Sequence, residues 1–162
     1  MRYLIFLLLL CFLYSCANYR EMRSITRDFP REYNGIDTLI RIDGYYFGLC
    51  DDYLCRPFII TDRNEFKGRL GKYYSHNQIV AGFHEFYSKM RTGNYNVVND
   101  TITVNTVAQY GPWSFDILKY VFVIHNSTTL ERIYSSNVRN DTIVNKDRIM
   151  FLFYPFDADW LK

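Results

Sequence analysis

Several signatures that would mark an enzyme or a nucleic-acid binder are missing from this chain. There is no Gly-x-Ser-x-Gly, no His-Glu-x-x-His, no phosphate-cradling glycine loop and no dinucleotide fingerprint, which removes the usual starting points for acyl transfer, zinc hydrolysis and nucleotide chemistry. Only three histidines occur, His76, His84 and His125, and none shows metal-ligand spacing. His84 and Glu85 are adjacent, and neighbours on a helix do not share a face, so they make a poor acid–base dyad. Asp51-Asp52 reads as a solvated loop pair more readily than as one pole of a carboxylate or calcium site, and Asp157-Ala158-Asp159 as a solvated tail. The net charge is +2, Arg2 included, and no run of Lys and Arg builds up, so the basic footprint of a nucleic-acid binder is missing. No metal, no cofactor and no nucleic-acid partner is expected, and catalysis by dispersed residues is the least favoured function.

Long apolar runs are scarce as well. The one at the start, Tyr3 to Phe12, falls short of the ~20 residues that span a bilayer core. Arg2 supplies a positive n-region, Leu4-Ile5-Phe6-Leu7-Leu8-Leu9-Leu10 an apolar h-region, and Leu13-Tyr14-Ser15-Cys16 places a small residue directly before a cysteine. This grammar reads as a signal peptide over residues 1–15 with the processing site of a bacterial lipoprotein. A plain secretory signal cut elsewhere and a short membrane anchor are the alternatives. Cleavage before Cys16 would make its thiol the attachment point for acyl chains such as palmitate. Each buried methylene contributes about 0.8 kcal/mol, and two or more chains hold stably where one does not. Residues 16–35 are polar and charged, with Pro30 and Asn34-Gly35 as breakers, and read as a lipidated tether. Residues 36–162 read as a single globular domain.

Two cysteines remain beyond the signal and the anchor, Cys50 and Cys55, separated by Asp51-Asp52-Tyr53-Leu54. In an exported protein they suit a disulfide across a tight loop, worth roughly 2 kcal/mol, or two free thiols. A redox pair or half a zinc site is less favoured, because redox motifs have two intervening residues and zinc would need further ligands. Aromatics are abundant, with 15 Tyr and 13 Phe. Tyr suits strands, where the ring packs and the hydroxyl reaches water.

Alternation and turn chemistry predict strands over 38–47, 56–61, 95–98, 101–104, 115–125, 129–134 and 148–154. Within 115–125, Leu118, Tyr120, Phe122 and Ile124 make one face, and Lys119 sits among Ile117, Val121 and Val123 on the other. Asn99-Asp100 is the clearest hairpin turn, since both residue types tolerate positive φ. Val97-Val98-Asn99-Asp100-Thr101-Ile102 is echoed by Val138-Arg139-Asn140-Asp141-Thr142-Ile143. One segment departs from the pattern. Ile79, Val80, Phe83, Phe86, Tyr87 and Met90 recur at helical spacing and predict an amphipathic helix over 78–91, with Asn77 and Gly93 as caps. The fold expected is mainly β, an antiparallel sheet or barrel with one helix, with α+β as the alternative.

The Gly93-x-Tyr95-x-Val97 start, the Asn99-Asp100-Thr101-Ile102 turn and the run from Tyr120 to Leu130 resemble small lipocalin-like lipoproteins of Bacteroidetes over roughly residues 36–154. The resemblance implies an up-and-down barrel or half-barrel and assigns no functional residue. Surface-displayed lipoproteins of that group carry acidic residues after the cysteine. This chain has Ala17-Asn18-Tyr19-Arg20, which implies a cell-envelope protein on the outer membrane facing the periplasm. Asp37-Thr38-Leu39, Asp100-Thr101-Ile102 and Asp141-Thr142-Ile143 resemble the O-glycan acceptor pattern of exported proteins of the same lineage, with Thr38, Thr101 and Thr142 as attachment points. A turn leading into a strand has the same form.

Two function classes follow. In the first, a barrel mouth lined by Tyr and Phe holds a small apolar or sugar-like ligand, with Trp113 as a rim aromatic. In the second, an exposed sheet edge or aromatic patch docks an envelope protein. Both place the protein on a membrane through Cys16. Cys16→Ser is expected to move the protein from the detergent phase to the aqueous phase on phase partition. Its intact mass should then lack any acyl increment; an unchanged partition would rule out the anchor.

Overall fold

The computed structural model describes residues 34–48, 57–68, 91–111 and 114–156, together with residues 5 and 77–78. Nine strands run through these residues: β1 (Gly44–Gly48), β2 (Phe58–Ile60), β3 (Glu65–Gly68), β4 (Arg91–Val98), β5 (Thr101–Gly111), β6 (Ser114–Asn126), β7 (Thr129–Asn137), β8 (Ile143–Asn145) and β9 (Ile149–Pro155). All pairings are antiparallel. β1 to β7 form a meander, and β9 pairs with both β7 and β1, so eight strands close into a barrel. Closure satisfies backbone groups that an open sheet would leave at its edges. β8 lies outside this ring, on the same edge of β7 as β9 but further along. The expected β class therefore holds, and the choice between barrel and half-barrel resolves to a closed, lipocalin-like barrel.

Alternation decides which side chains point inward. On β5, Ile102, Val104, Thr106 and Ala108 are buried while Thr101, Thr103, Asn105 and Val107 are half-buried. On β6, Leu118, Tyr120 and Phe122 join the core and Ile124 packs against it, the face that the sequence pattern marks as apolar. An eight-stranded barrel is just wide enough for side chains to fill it or for one small ligand to enter. At mid-height it is filled. Phe58 on β2 and Phe122 on β6 stand on opposite sides of the ring, yet their ring centroids are 5.1 Å apart. Phe58 also meets Phe66 at 5.1 Å, Phe151 at 5.0 Å and Tyr46 at 5.5 Å. Gly93 brings β4 and β5 together, because a Cβ there would lie 2.4 Å from the Asn105 carbonyl oxygen.

One end of the barrel is sealed by the chain before β1. The expected strand over 38–47 is instead a short 3-10 helix, Ile36–Thr38, then a turn, with β1 starting only at Gly44. Ile36 and Ile40 are four apart, a helical spacing, and both are fully buried in the core cluster; plugging the barrel end outweighs the local β pattern. Gly35, with φ 72°, supplies the left-handed residue that starts this turn. The plug is pinned by polar groups. Arg41 N–H donates to the Ser127 carbonyl at 2.8 Å. The Tyr46 hydroxyl donates to the Arg41 carbonyl at 3.0 Å, and the Tyr95 hydroxyl to the Thr61 carbonyl at 2.5 Å. The Asn34 amide donates to the Asn64 side chain. Burial pushes the Tyr95 hydroxyl up to about 12 and raises Tyr46 in the same direction.

Two further expectations need adjusting. The helix predicted over 78–91 lies almost wholly outside the described residues, but it cannot reach Arg91, which already belongs to β4. In the Asn99-Asp100 turn only Asn99 takes positive φ, at 56°. In the echoed segment the left-handed residue is Asp141, at 51°, so the repeated wording does not reproduce the same turn. Among the described residues, no helix is long and apolar enough to cross a membrane.

Phe58→Ala is expected to destabilise the protein by about 3–5 kcal/mol in urea unfolding. Val98→Ala, at a side chain 61% exposed, should stay within about 0.5 kcal/mol. A Phe58→Ala loss below ~1 kcal/mol would show that the lumen is not packed across its width.

Candidate functional site: the far end of the lumen

Opposite the plug, β1 ends at Gly48 and β3 at Gly68, and β2 and β4 begin. Here the inward-facing wall changes character. Its residues are Gly48, Gly68, Thr106, Ala108, Leu118, Tyr120, Arg132 and Ser135, all buried. The floor is the aromatic layer of Phe58, Phe122 and Phe151. Large and small residues complement one another, for the Phe151 ring lies over Gly48 and the Phe66 ring over Gly68.

A β-bulge sets the polar part of this wall. Leu130 faces Ile124 and Arg132 faces Phe122, so both point inward. The register then slips, Val121 pairs with Tyr134, and Ile133 is the extra residue. After the slip Ser135 faces Tyr120 and is again inward. Arg132 is 6% exposed and lies between Phe122 and Ile149 in the ladder. Thr106, one inward step beyond Val104, is 1% exposed, and its hydroxyl has no hydrogen-bond partner among the described residues. Asp116 is the inward-facing position at the β6 rim, opposite Ala108.

A second polar cluster lies on the outer surface. Glu131 accepts from Arg148 Nε at 2.6 Å and meets His125 Nε2 at 2.8 Å. The hydrogen bond from His125, then that from Arg148, holds the Glu131 carboxyl below the ordinary carboxylate range. The cluster ties the β6–β7 hairpin to the start of β9. No group of three or more His, Cys, Asp or Glu that could hold a metal occurs among the described residues.

The residues singled out in the sequence are not brought together here. Cys16, Cys50, Cys55 and Trp113 lie outside the described residues. Thr38 and Thr142 are exposed and Thr101 is half-buried. The Thr38 hydroxyl donates to the Gly35 carbonyl at 2.7 Å and that of Thr101 to Asp100 Oδ1 at 3.2 Å. All three sit in turns or at strand starts, at different places on the barrel. Sequence reasoning missed Arg132, Ser135 and Thr106. Alternation from Leu130 would have placed Arg132 inward, but Ser135 could be placed only by knowing of the bulge.

No protein-family model, curated protein or solved structure matches the chain, so the chemistry of this site rests on its own residues.

Because the folded carboxyl of Glu131 sits below its ordinary value, its ionisation stabilises the fold above the unfolded pKa. That contribution is lost as pH falls through the folded pKa. Glu131→Gln is therefore expected to lower the unfolding midpoint at pH 7 and to differ less from the parent as pH drops below ordinary carboxylate values. A difference independent of pH would refute the assignment.

Proposed function

We propose that this is a lipid-anchored protein of the cell envelope, non-enzymatic, whose barrel holds a small apolar or sugar-like ligand in the far end of its lumen. The observation that carries the reading is the contrast along the lumen. Among the described residues, one end is plugged by Ile36 and Ile40, the middle is crossed by Phe58, and the far end is walled by small and polar residues above an aromatic floor. A floor of rings with a few convergent polar groups is the usual composition of a small-molecule site. The ligand would occupy a shallow cup rather than a deep channel.

Anchorage fits the same geometry. The chain joins the barrel at the sealed end, where Asn34 bonds to Asn64. An acylated Cys16, facing the periplasm from the outer membrane, would tether that end and leave the opposite one to receive ligand. The likeness to lipocalin-like lipoproteins of Bacteroidetes supports this reading through the closed meander barrel. O-glycans on Thr38, Thr101 or Thr142 would decorate turns without entering the lumen.

A second reading has its own support. β8 is the terminal strand of the sheet order, and its Ile143 and Val144 are 48% and 55% exposed. Such an edge suits strand addition by an envelope protein.

The test is titration of the processed protein in phospholipid nanodiscs with neutral and anionic apolar probes, subtracting empty nanodiscs. Saturable binding at one probe per protein is expected. Absence of saturable binding by every probe, combined with a photocrosslink from position 144 to one envelope protein, would replace the binding reading with the docking one.

A further inference from the structure

We propose that Asn34-Gly35 is a latent modification site, an asparagine that deamidates only when the plug leaves the barrel end and whose conversion then keeps the plug from locking again. It is the one Asn-Gly step in the chain. Asparagine is thermolabile, and a following glycine, with no Cβ, leaves its own backbone nitrogen uncrowded. In the reaction the Gly35 nitrogen attacks Asn34 Cγ and closes a five-membered imide. The Cγ–Nδ2 bond breaks, and Nδ2 departs as ammonia with the proton from the Gly35 nitrogen. Water then opens the ring. Attack at Cγ leaves aspartate at position 34, and attack at the backbone carbonyl leaves an isoaspartyl link. Nothing is oxidised or reduced, and water is the only co-reactant.

The fold opposes ring closure at both reacting groups. Asn34 Oδ1 accepts from the Ile36 N–H at 3.0 Å and lies 3.4 Å from the Tyr95 hydroxyl, while Nδ2 donates to Asn64 Oδ1. The Gly35 carbonyl accepts from the Thr38 N–H at 3.0 Å and from the Thr38 hydroxyl at 2.7 Å, with Gly35 held at φ 72°. Drawing Cγ onto the Gly35 nitrogen pulls Nδ2 from Asn64 and disturbs the turn that seats the fully buried Ile36. Ring closure therefore proceeds through a local opening that lifts the plug, and its rate reads how often that opening occurs.

Conversion acts on the same pin, and it runs one way, because reversal needs ammonia. A carboxylate has no donor to offer Asn64 Oδ1, so that bond is lost. Burial first, and then the charges of Asp62 and Asp37, push the Tyr95 hydroxyl up; the new anion would join those two beside it. The isoaspartyl form also adds one carbon to the backbone where the tether meets the plug.

The experiment holds the processed protein in nanodiscs at mildly alkaline pH, folded or unfolded in urea, and follows conversion at residue 34 by peptide mapping with mass spectrometry. The folded parent is expected to convert roughly tenfold or more slowly than the unfolded chain. Asn64→Gly removes the acceptor of Nδ2 while tolerating the φ of 57° at that position. Ile40→Ala loosens the buried seat of the plug. Both should convert faster than the folded parent. Circular dichroism serves as the fold check, and the comparison of folded with unfolded parent needs no variant. Asn34→Asp, which supplies the product directly, should speed hydrogen exchange at the Arg41 N–H, the donor to the Ser127 carbonyl, and leave exchange across β5 unchanged. Equal rates in folded and unfolded parent would overturn the proposal. So would conversion of Asn64→Gly and Ile40→Ala at the folded parent's rate, or unchanged exchange at Arg41 in Asn34→Asp.

Discussion

Contact between rings from opposite walls is the constraint on which the rest of this barrel depends. Phe58 and Phe122 can touch only if eight strands curl tightly enough to bring β2 and β6 within one ring-to-ring distance. Closure in turn requires β9 to reach both β7 and β1. Apolar burial is non-directional, so it does not choose a partner by itself. The choice comes from the ladder, where each inward residue has one register partner, and from residues small enough to let rings lie over them, as at Gly48 and Gly68.

Filling the middle divides the lumen into two ends with different solutions to the same problem. At the sealed end the buried polar groups are hydroxyls whose partners are backbone carbonyls, so Tyr46 and Tyr95 enter the core without an orphaned donor. At the far end the polar groups include a permanent charge, Arg132, and a hydroxyl, Thr106, that the described residues leave without a hydrogen-bond partner. The concentration of buried polar side chains in one layer sets the far end apart from the sealed one. Glu131, His125 and Arg148 tell the opposite story. They bond to one another on the outside of the barrel and act on its seams.

The outer face is also less exposed than a simple barrel would make it. Tyr45, Ile59, Ile117 and Val121 belong to the face opposite the core cluster, yet all are buried. Tyr45 stacks on Tyr154 at 5.7 Å and lies near Phe156 at 6.3 Å, and burial pushes its hydroxyl up to about 12. The Tyr surplus thus serves both faces, since a ring that packs and a hydroxyl that bonds can be placed on either side of a sheet.

The β class, the inward face of β6 and the hairpin at Asn99-Asp100 were legible from the chain alone, because alternation and turn propensity are local properties read within a few residues, while the short strands β3 and β8 were not. Closure into a barrel was not legible, because it depends on β9 finding β1 more than a hundred residues away, and no local pattern encodes a partner. Nor was the plug, since Ile36 to Ile42 carry apolar residues compatible with either a strand or a turn, and only the open barrel end makes the turn the better burial. The wall of Arg132, Ser135 and Thr106 was decided last of all. A one-residue slip between β6 and β7 reverses which side chains face the lumen, and that slip arises from how two strands meet rather than from what either contains.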